Sequence, residues 1–291
     1  MLENLLLSGL ANGGIYALVA MGLVVVYKAT AVVNFAHGEG FMLSGMLAYT
    51  LHVMAGLSYG LALPLAVAGA CLLGVLTERI AFRPLLRASV VSLVLATTGF
   101  SFLLRGVARQ VWGGQGSDLA FPPVFVLQPL RVGDLVLTAQ SLVVMGGAVL
   151  TMLLFLLFFR YTLLGKMMRA TAENQRAAAL VGIRVERISS ITWGVGVALG
   201  GVAAVLAAPL TLLYPDMGGP LLIRAFAAAL LGGMGSLAGA VLGGLSLGVI
   251  ENLAAGYVDT SLTDVAPFLL IILVLLIRPH GFLGRADVVK V

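Results

Sequence analysis

The sequence predicts an all-α fold, a polytopic membrane helix bundle with about eight transmembrane segments, one of them glycine-rich and broken or re-entrant. Of the 291 residues, 60% are hydrophobic and 10% are charged, and the mean hydropathy is +1.10. A soluble domain does not need so much apolar surface. The apolar runs are long enough for helices and do not show the short alternating pattern of a membrane β-barrel.

The apolar runs follow one another along almost the whole chain. A helix needs about 20 apolar residues to cross a bilayer. We expect spans, some of them short, over residues 5–27, 41–57, 61–77, 90–104, 135–159, 188–213, 225–250 and 265–277. Gly and Pro residues interrupt the segment 105–134, which is predicted to be an external loop. Residues 1–291 are therefore expected to form a single transmembrane domain.

Basic residues mark one side of the membrane. Lys28, the segments 78–87 and 160–187, and the C-terminal tail are all basic, and cytoplasmic segments carry an excess of Lys and Arg. The alternation is consistent if the N-terminus is outside and the C-terminus is cytoplasmic. Topology therefore explains the net charge of +5, and nucleic-acid binding is not expected. Arg105 and Arg109, on the predicted outer side, run against the pattern.

The glycine-rich run 225–250 does not fit the predicted topology as a single span. Acidic and polar residues on both sides of it are predicted to lie outside, which one plain span cannot satisfy. A break is therefore expected at Gly232, Gly233 and Gly235. Broken helices are tolerated where protein or a cavity covers the freed backbone. Two forms remain open: a re-entrant pair of half-helices, or a short span followed by a full one.

Small residues recur every four positions in two of the spans. One series is Gly232, Ser236, Ala240, Gly244 and Gly248, and the other is Gly196, Gly200, Ala204 and Ala208. This spacing lets helix backbones approach closely in lipid. The contacts could lie within this chain or against a second membrane subunit.

Ionisable groups at membrane depth are expensive and need a partner or water. The densest polar set is Asn34, His37 and Glu39, between the first two spans. We expect these residues either to form a structural hinge or cap, in which His37 and Glu39 pair or bond backbone groups, or to act in a gate or pathway. One His and one Glu are too few for a metal site. Glu251 and Asn252 are expected to form a solvated helix end.

The segment 160–187 is the longest polar stretch on the predicted cytoplasmic side. Residues 170–181 contain strong helix formers and no Gly or Pro, and Gly182 is a stop signal. We predict a short amphipathic helix that lies across the inner membrane face and is presented to a cytoplasmic partner.

The sequence contains no motif of an enzyme acting alone. It has no Walker-type phosphate loop, no HExxH, no GxSxG and no CxxC. No catalytic residue, bound cofactor or metal is therefore expected in this chain.

Four motifs, in order along the chain, resemble the branched-chain amino acid ABC transporter permeases, and the match is to the smaller of the two permease subunits. They are NFAHGE at 34–39, RATAEN at 169–174 running into 177–183, RAFAAALLGGMGS at 224–236, and RPHGFLG at 278–284. The resemblance covers essentially the whole chain. Gly40 departs from the pattern, and we expect it to loosen the start of the second span.

The resemblance implies an importer in the cell (inner) membrane. Its other parts would be a second homologous permease, two ABC ATPase subunits that use ATP, and an extracytoplasmic substrate-binding protein. The resemblance also implies that the loop at 160–187 couples to an ATPase through Arg169, Glu173, Asn174, Ala178 and Gly182, with its Ala-rich face docked. The candidate gate or pathway residues are Asn34, His37, Glu39, Gly232 and Gly233.

Other readings stay open at this point. A secondary transporter driven by a proton or sodium gradient would need an ionisable relay, for which His37 and Glu39 are the candidates. An ABC permease for urea or amides would have a similar sequence, so the branched-chain amino acid assignment rests on the resemblance. A membrane enzyme or a scaffold is the third class.

Overall fold

The computed structural model describes residues 2–85, 88–113, 118–124, 130–132 and 135–284. This part of the chain forms eleven α-helices and one pair of short antiparallel strands. The helices are α1 (Leu2–Thr30), α2 (His37–Tyr49), α3 (Tyr59–Thr77), α4 (Val90–Trp112), α5 (Ala139–Tyr161), α6 (Leu163–Glu173), α7 (Gln175–Leu180), α8 (Val185–Ala207), α9 (Gly218–Gly232), α10 (Leu237–Tyr257) and α11 (Leu262–Ile277). The strands are β1 (Leu130–Val132) and β2 (Leu135–Leu137).

Short π and 3-10 turns lengthen three of the helices. Thr50–Met54 continues α2, Glu78–Phe82 and Arg83–Leu85 continue α3, and Ala208–Leu210 continues α8. With these extensions, six helices in the described residues are long and apolar enough to cross a membrane, and α9 and α11 are shorter apolar helices. The predicted polytopic helical bundle is confirmed.

Helix α1 forms the centre of the bundle. Its most apolar stretch is 89% buried, whereas those of α4 and α5 are 22% and 28% buried. Helix α10 lies against α1 through glycines: a Cβ at Gly248 would overlap the backbones of Gly9 and Gly13, and one at Gly244 would overlap Ala17. This stretch of the small-residue spacing thus serves packing within the chain. Helices α3, α4 and α5 carry exposed apolar side chains on their outer faces.

The glycine-rich run is broken where the sequence predicts. Helix α9 ends at Gly232, and Gly233 has a φ of +102°, a conformation that favours glycine. Ser236 then caps α10, because its hydroxyl accepts a hydrogen bond from the Gly239 N–H at 3.0 Å. The run is therefore a short helix followed by a full span.

The segments that the charge pattern places on one side lie together at one end of the bundle. Gln175 donates to the carbonyl of Ala29, next to Lys28, at 2.8 Å. Arg83 donates to Ser190 at 2.6 Å and joins the end of α3 to the start of α8. The tail reaches the α9–α10 turn, where the Phe282 N–H donates to the Leu231 carbonyl at 2.8 Å.

The predicted external loop 105–134 begins too early, because α4 continues to Trp112. Its two arginines have partners on other elements. Arg109 bonds Asp216 at 2.7 Å, and Arg105 bonds Glu39. Strands β1 and β2 form a short hairpin close to the end of this loop, and residues 114–117, 125–129 and 133–134 lie outside the described part of the chain.

Glycine packing predicts opposite effects for one substitution at two helical sites. Gly248→Ala should destabilise the protein by about 1–3 kcal/mol, since the added methyl group overlaps backbone. Gly146→Ala has open space around its Cβ and should stabilise α5 by up to about 1 kcal/mol. Thermal unfolding in one detergent measures both variants, and equal shifts would contradict close packing of α1 and α10.

Candidate functional site

The connection between α1 and α2 turns back into the bundle. Helix α1 ends at Thr30, Ala31 has a φ of +56°, and α2 starts at His37. The His37 Nε2 lies 3.1 Å from the carbonyl oxygen of Val19, well before the end of α1. The segment 31–36 therefore runs from the end of α1 back into the bundle, and α2 begins inside the protein.

Backbone and side-chain bonds fix this segment. Asn34 is 1% exposed, and its Oδ1 accepts a hydrogen bond from the Ala36 N–H at 3.0 Å. The Phe35 N–H donates to Thr97 of α4 at 3.4 Å. His37 is fully buried and bonds the backbone of α1. It does not pair with Glu39.

Glu39 is fully buried and bonded to α4. Its Oε1 accepts from the Arg105 Nε and from the Ser101 hydroxyl, the latter at 2.8 Å. The side chain of Arg105 is 24% exposed. A charge pair out of bulk water is stable only when it is well bonded, and removing one partner leaves an uncompensated charge. The Glu39–Arg105 pair therefore fixes the position of α2 against α4.

Gly40, which was expected to loosen this helix start, has a packing role. A Cβ at this position would overlap a methyl group of Val197 on α8. The absence of a side chain lets α8 approach the first turn of α2, so the expected loosening was wrong. In the same way, Gly38 and Gly218 bring the first turns of α2 and α9 into backbone contact.

A cleft of about 570 Å³ lies beside the ion pair, bounded by the segment 31–36, α4, α9 and α11. Three of its residues are polar: Thr98, Ser101 and Arg105. The others are apolar or glycine: Val33, Phe35, Phe102, Gly219, Pro220, Leu222, Ile223, Phe226, Phe268 and Ile271. A mostly apolar pocket with a few convergent polar groups is typical of a small-molecule site.

The candidate gate residues fall into two groups. Asn34, His37 and Glu39 lie together around the start of α2, whereas Gly232 and Gly233 lie at the end of the bundle that holds the tail. Sequence reasoning missed Arg105, which it placed in a loop. The available signal was an acidic residue at membrane depth without a cation, because such a group requires one.

The segment 160–187, predicted to contain one helix at 170–181, contains two helices. The break is at Asn174, whose Oδ1 accepts from the Ala177 N–H at 3.0 Å and so caps α7. Local capping therefore overrides the helix propensity of the flanking residues. Gly182, with a φ of +87°, follows α7 as the predicted stop.

The coupling candidates do not share one face. Arg169 donates to the carbonyls of Phe159 and Arg160 at 2.9 and 3.1 Å, which holds α6 to the end of α5. Ala178 is buried within the chain, whereas its neighbours Ala177 and Ala179 are exposed. Glu173, Asn174 and Gly182 are exposed.

The most exposed apolar side chains of this loop were missed. Leu180 is 89% exposed and Val181 is 77% exposed, immediately before Gly182. They form an apolar tip at the end of α7. We call Leu180 and Val181 the α7 tip.

The expected solvated helix end at Glu251 was also wrong. Helix α10 continues to Tyr257, and Glu251 is 1% exposed. Its carboxylate accepts from the Arg224 Nε at 3.2 Å, and Arg224 also bonds Asp264 at 3.0 Å. This second ion-paired group links α9, α10 and α11.

A family model described as "Branched-chain amino acid transport system / permease component" matches residues 5–275. The chain belongs to this family. It is 35% identical to the high-affinity branched-chain amino acid transport system permease protein LivH of Escherichia coli (strain K12), over 98% of this chain and 96% of LivH. It is 36% identical to the corresponding protein BraD of Pseudomonas aeruginosa, over 98% and 97% of the two chains.

One solved structure, titled "PsaBC from Streptococcus pneumoniae in complex with Fab", shares the fold. The TM-score is 0.53 at 15% sequence identity, and the alignment covers 96% of this chain and 92% of that chain. At this identity the likeness concerns the fold alone. The family match and the apolar helices together make this chain a multi-pass membrane permease.

The two ion pairs of α4 predict different costs of neutralisation. Glu39→Gln should destabilise the protein by about 3–5 kcal/mol, because Arg105 loses its buried partner. Asp216→Asn removes a pair that is 39% and 41% exposed, and it should cost about 0–1 kcal/mol. Thermal unfolding in detergent compares them, and Glu39→Gln combined with Arg105→Gln should recover part of the loss. Similar losses for the two single variants would show that the Glu39 pair is not structurally special.

Proposed function

We propose that this chain is the membrane-spanning permease subunit of an ATP-driven ABC importer for branched-chain amino acids, in the cell (inner) membrane. The observation that carries the proposal is the nearly full-length similarity to permease proteins named for high-affinity branched-chain amino acid transport. In this arrangement the N-terminus is outside and the C-terminus is cytoplasmic, because the basic end of the bundle is the cytoplasmic end.

A second homologous permease completes the translocation pathway in this proposal. The support is the partly exposed side chain of Arg105 within the apolar part of the bundle, where it lines the cleft. Hydrocarbon contact with an arginine is unfavourable, so its side chain faces a bundle interior or water. The face formed by α4, α9 and α11 therefore points toward the partner permease and the pathway.

Two ABC ATPase subunits drive transport from the basic end. The apolar α7 tip, with the exposed Glu173, Asn174 and Gly182 around it, forms the surface on which an ATPase docks. ATP is used by the ATPases. It shifts the permeases between inward-open and outward-open states, because it binds the two states with different affinity. An extracytoplasmic binding protein delivers the substrate at the opposite end.

The gradient-driven alternative has less support in the geometry. His37 bonds a backbone carbonyl of α1, and Glu39 is bonded to Arg105. In the part of the chain that the structure describes, these two residues do not form a connected relay. The ABC proposal therefore stands ahead of it.

A pull-down from the native membrane in mild detergent, followed by mass spectrometry, tests the assembly. We expect a second permease and ATPase subunits to be recovered with this chain. Recovery of this chain alone, under conditions in which a known ABC complex survives, would contradict the proposal.

The α7 tip predicts a selective loss of ATPase binding. Leu180→Asp should weaken retention of the ATPase about tenfold or more, since a buried leucine contributes about 1.5–3 kcal/mol. Leu163→Asp is the matched control, because Leu163 is 73% exposed at the start of α6 and lies outside the tip. Co-purification measures how much ATPase each variant retains. An equal loss of ATPase from both variants would contradict a specific role of the α7 tip in docking.

A further inference from the structure

We propose that the cleft beside Arg105 binds the transported amino acid itself, with the substrate carboxylate on the guanidinium and the branched side chain on the apolar wall. This inference rests on the proposed function and assigns to it a substrate site within the permease.

The hydrogen-bonding state of Arg105 is the first argument. A guanidinium has five N–H donors, and Glu39 takes the Nε. Among the described residues, neither terminal nitrogen has a hydrogen-bond partner. These nitrogens lie toward Gly219, where a Cβ would be 3.2 Å from one and 3.9 Å from the other. Glu39 thus holds the guanidinium in place and leaves its outer edge free for a two-point contact with a carboxylate.

The first turn of α9 adds to the attraction for an anion. Gly219 and Pro220 belong to this turn and line the same cleft. The N-terminus of a helix carries partial positive charge and favours a negative group. The Gly219 N–H donates to the Asp216 carbonyl at 3.3 Å, and Pro220 has no N–H. The helix start therefore adds its partial positive charge beside the cation and supplies no free donor from these two residues.

Two hydroxyl groups suit the substrate ammonium. The Ser101 hydroxyl donates to Glu39 at 2.8 Å, and the Thr98 hydroxyl donates to the Val94 carbonyl at 2.9 Å. Each donor hydrogen is used, so the oxygen lone pairs remain as acceptors. Both residues line the cleft.

The size and the wall of the cleft favour an apolar amino acid over urea. The volume of about 570 Å³ is within the range of small-molecule sites, about 300–1,000 Å³. Phe226 and Ile271 form part of an apolar wall that a branched aliphatic side chain can contact. Urea has neither a carboxylate for Arg105 nor an apolar side chain for this wall.

The test uses the intact transporter complex in proteoliposomes and a photoreactive diazirine leucine. We expect crosslinks on α9 and α11, competed by excess leucine or valine and not by urea. Arg105→Gln should lower this labelling about tenfold or more, because a charged hydrogen-bond partner is lost. Arg109→Gln is the matched control. It lies one turn further along α4, pairs with Asp216 and is not a lining residue of the cleft, so its labelling should be unchanged.

A second variant keeps the ion pair intact. Ile271→Trp fills the cleft from α11 and should also abolish the labelling. ATP hydrolysis by each reconstituted complex reports whether the complex is assembled. Labelling outside the cleft, labelling that persists in an assembled Arg105→Gln complex, or labelling of the cleft by a diazirine fatty acid that leucine does not displace would overturn the inference. If the wild-type complex lacked ATP-driven leucine uptake, the proposed function itself would fail.

Discussion

The ion pair between Glu39 and Arg105 constrains the rest of the architecture. A carboxylate that is fully buried at membrane depth requires a cation, and the cation is on α4. The pair therefore holds α2 where it begins, inside the bundle, and keeps the segment 31–36 folded back against α4. The same pair fixes one wall of the cleft. Its other walls, α9 and α11, are joined through Arg224, which bonds Asp264 at the start of α11.

Close helix packing decides where a pathway is possible. The backbones of α1 and α10 are in contact at Gly13 and Gly248, and α1 is surrounded by the other helices. Glycine contacts of this kind leave no space between the helices for a solute. In the proposed assembly, the solute route runs at the perimeter of the bundle, where a second permease would supply the other wall. The partly exposed Arg105 is on that perimeter, which agrees with a pathway shared by two permeases.

Properties set by local sequence could be predicted, and properties set by distant contacts could not. Hydropathy predicted where the apolar helices lie. The conformational freedom of glycine predicted the break at Gly233 and the helix end at Gly182. The partner of Glu39 lies 66 residues away on α4, and no local pattern in one sequence shows such a pairing. The prediction of a solvated helix end at Glu251 was wrong for the same reason, because the cation that pairs with Glu251 is on another helix. The break at Asn174 was different, because it has a local signal: an asparagine is a recognised N-cap. The prediction of one helix over 170–181 gave more weight to the helix propensity of the flanking residues than to this cap.

Helix α9 runs from the basic end of the bundle to the cleft beside Arg105. Its last turn accepts hydrogen bonds from the tail at Leu231 and Gly232, and its first turn carries Gly219 beside Arg105. The 15 residues of the helix span about 22 Å, and a helix transmits displacement along its axis because its hydrogen bonds are internal. Gly218 is in backbone contact with Gly38, so a shift of α9 also displaces the first turn of α2 and, through Glu39, the guanidinium of Arg105. Movement at the basic end would therefore alter the width of the cleft and the position of its cation together. One rigid helix therefore links the basic end of the bundle to the cleft that we propose for the substrate carboxylate.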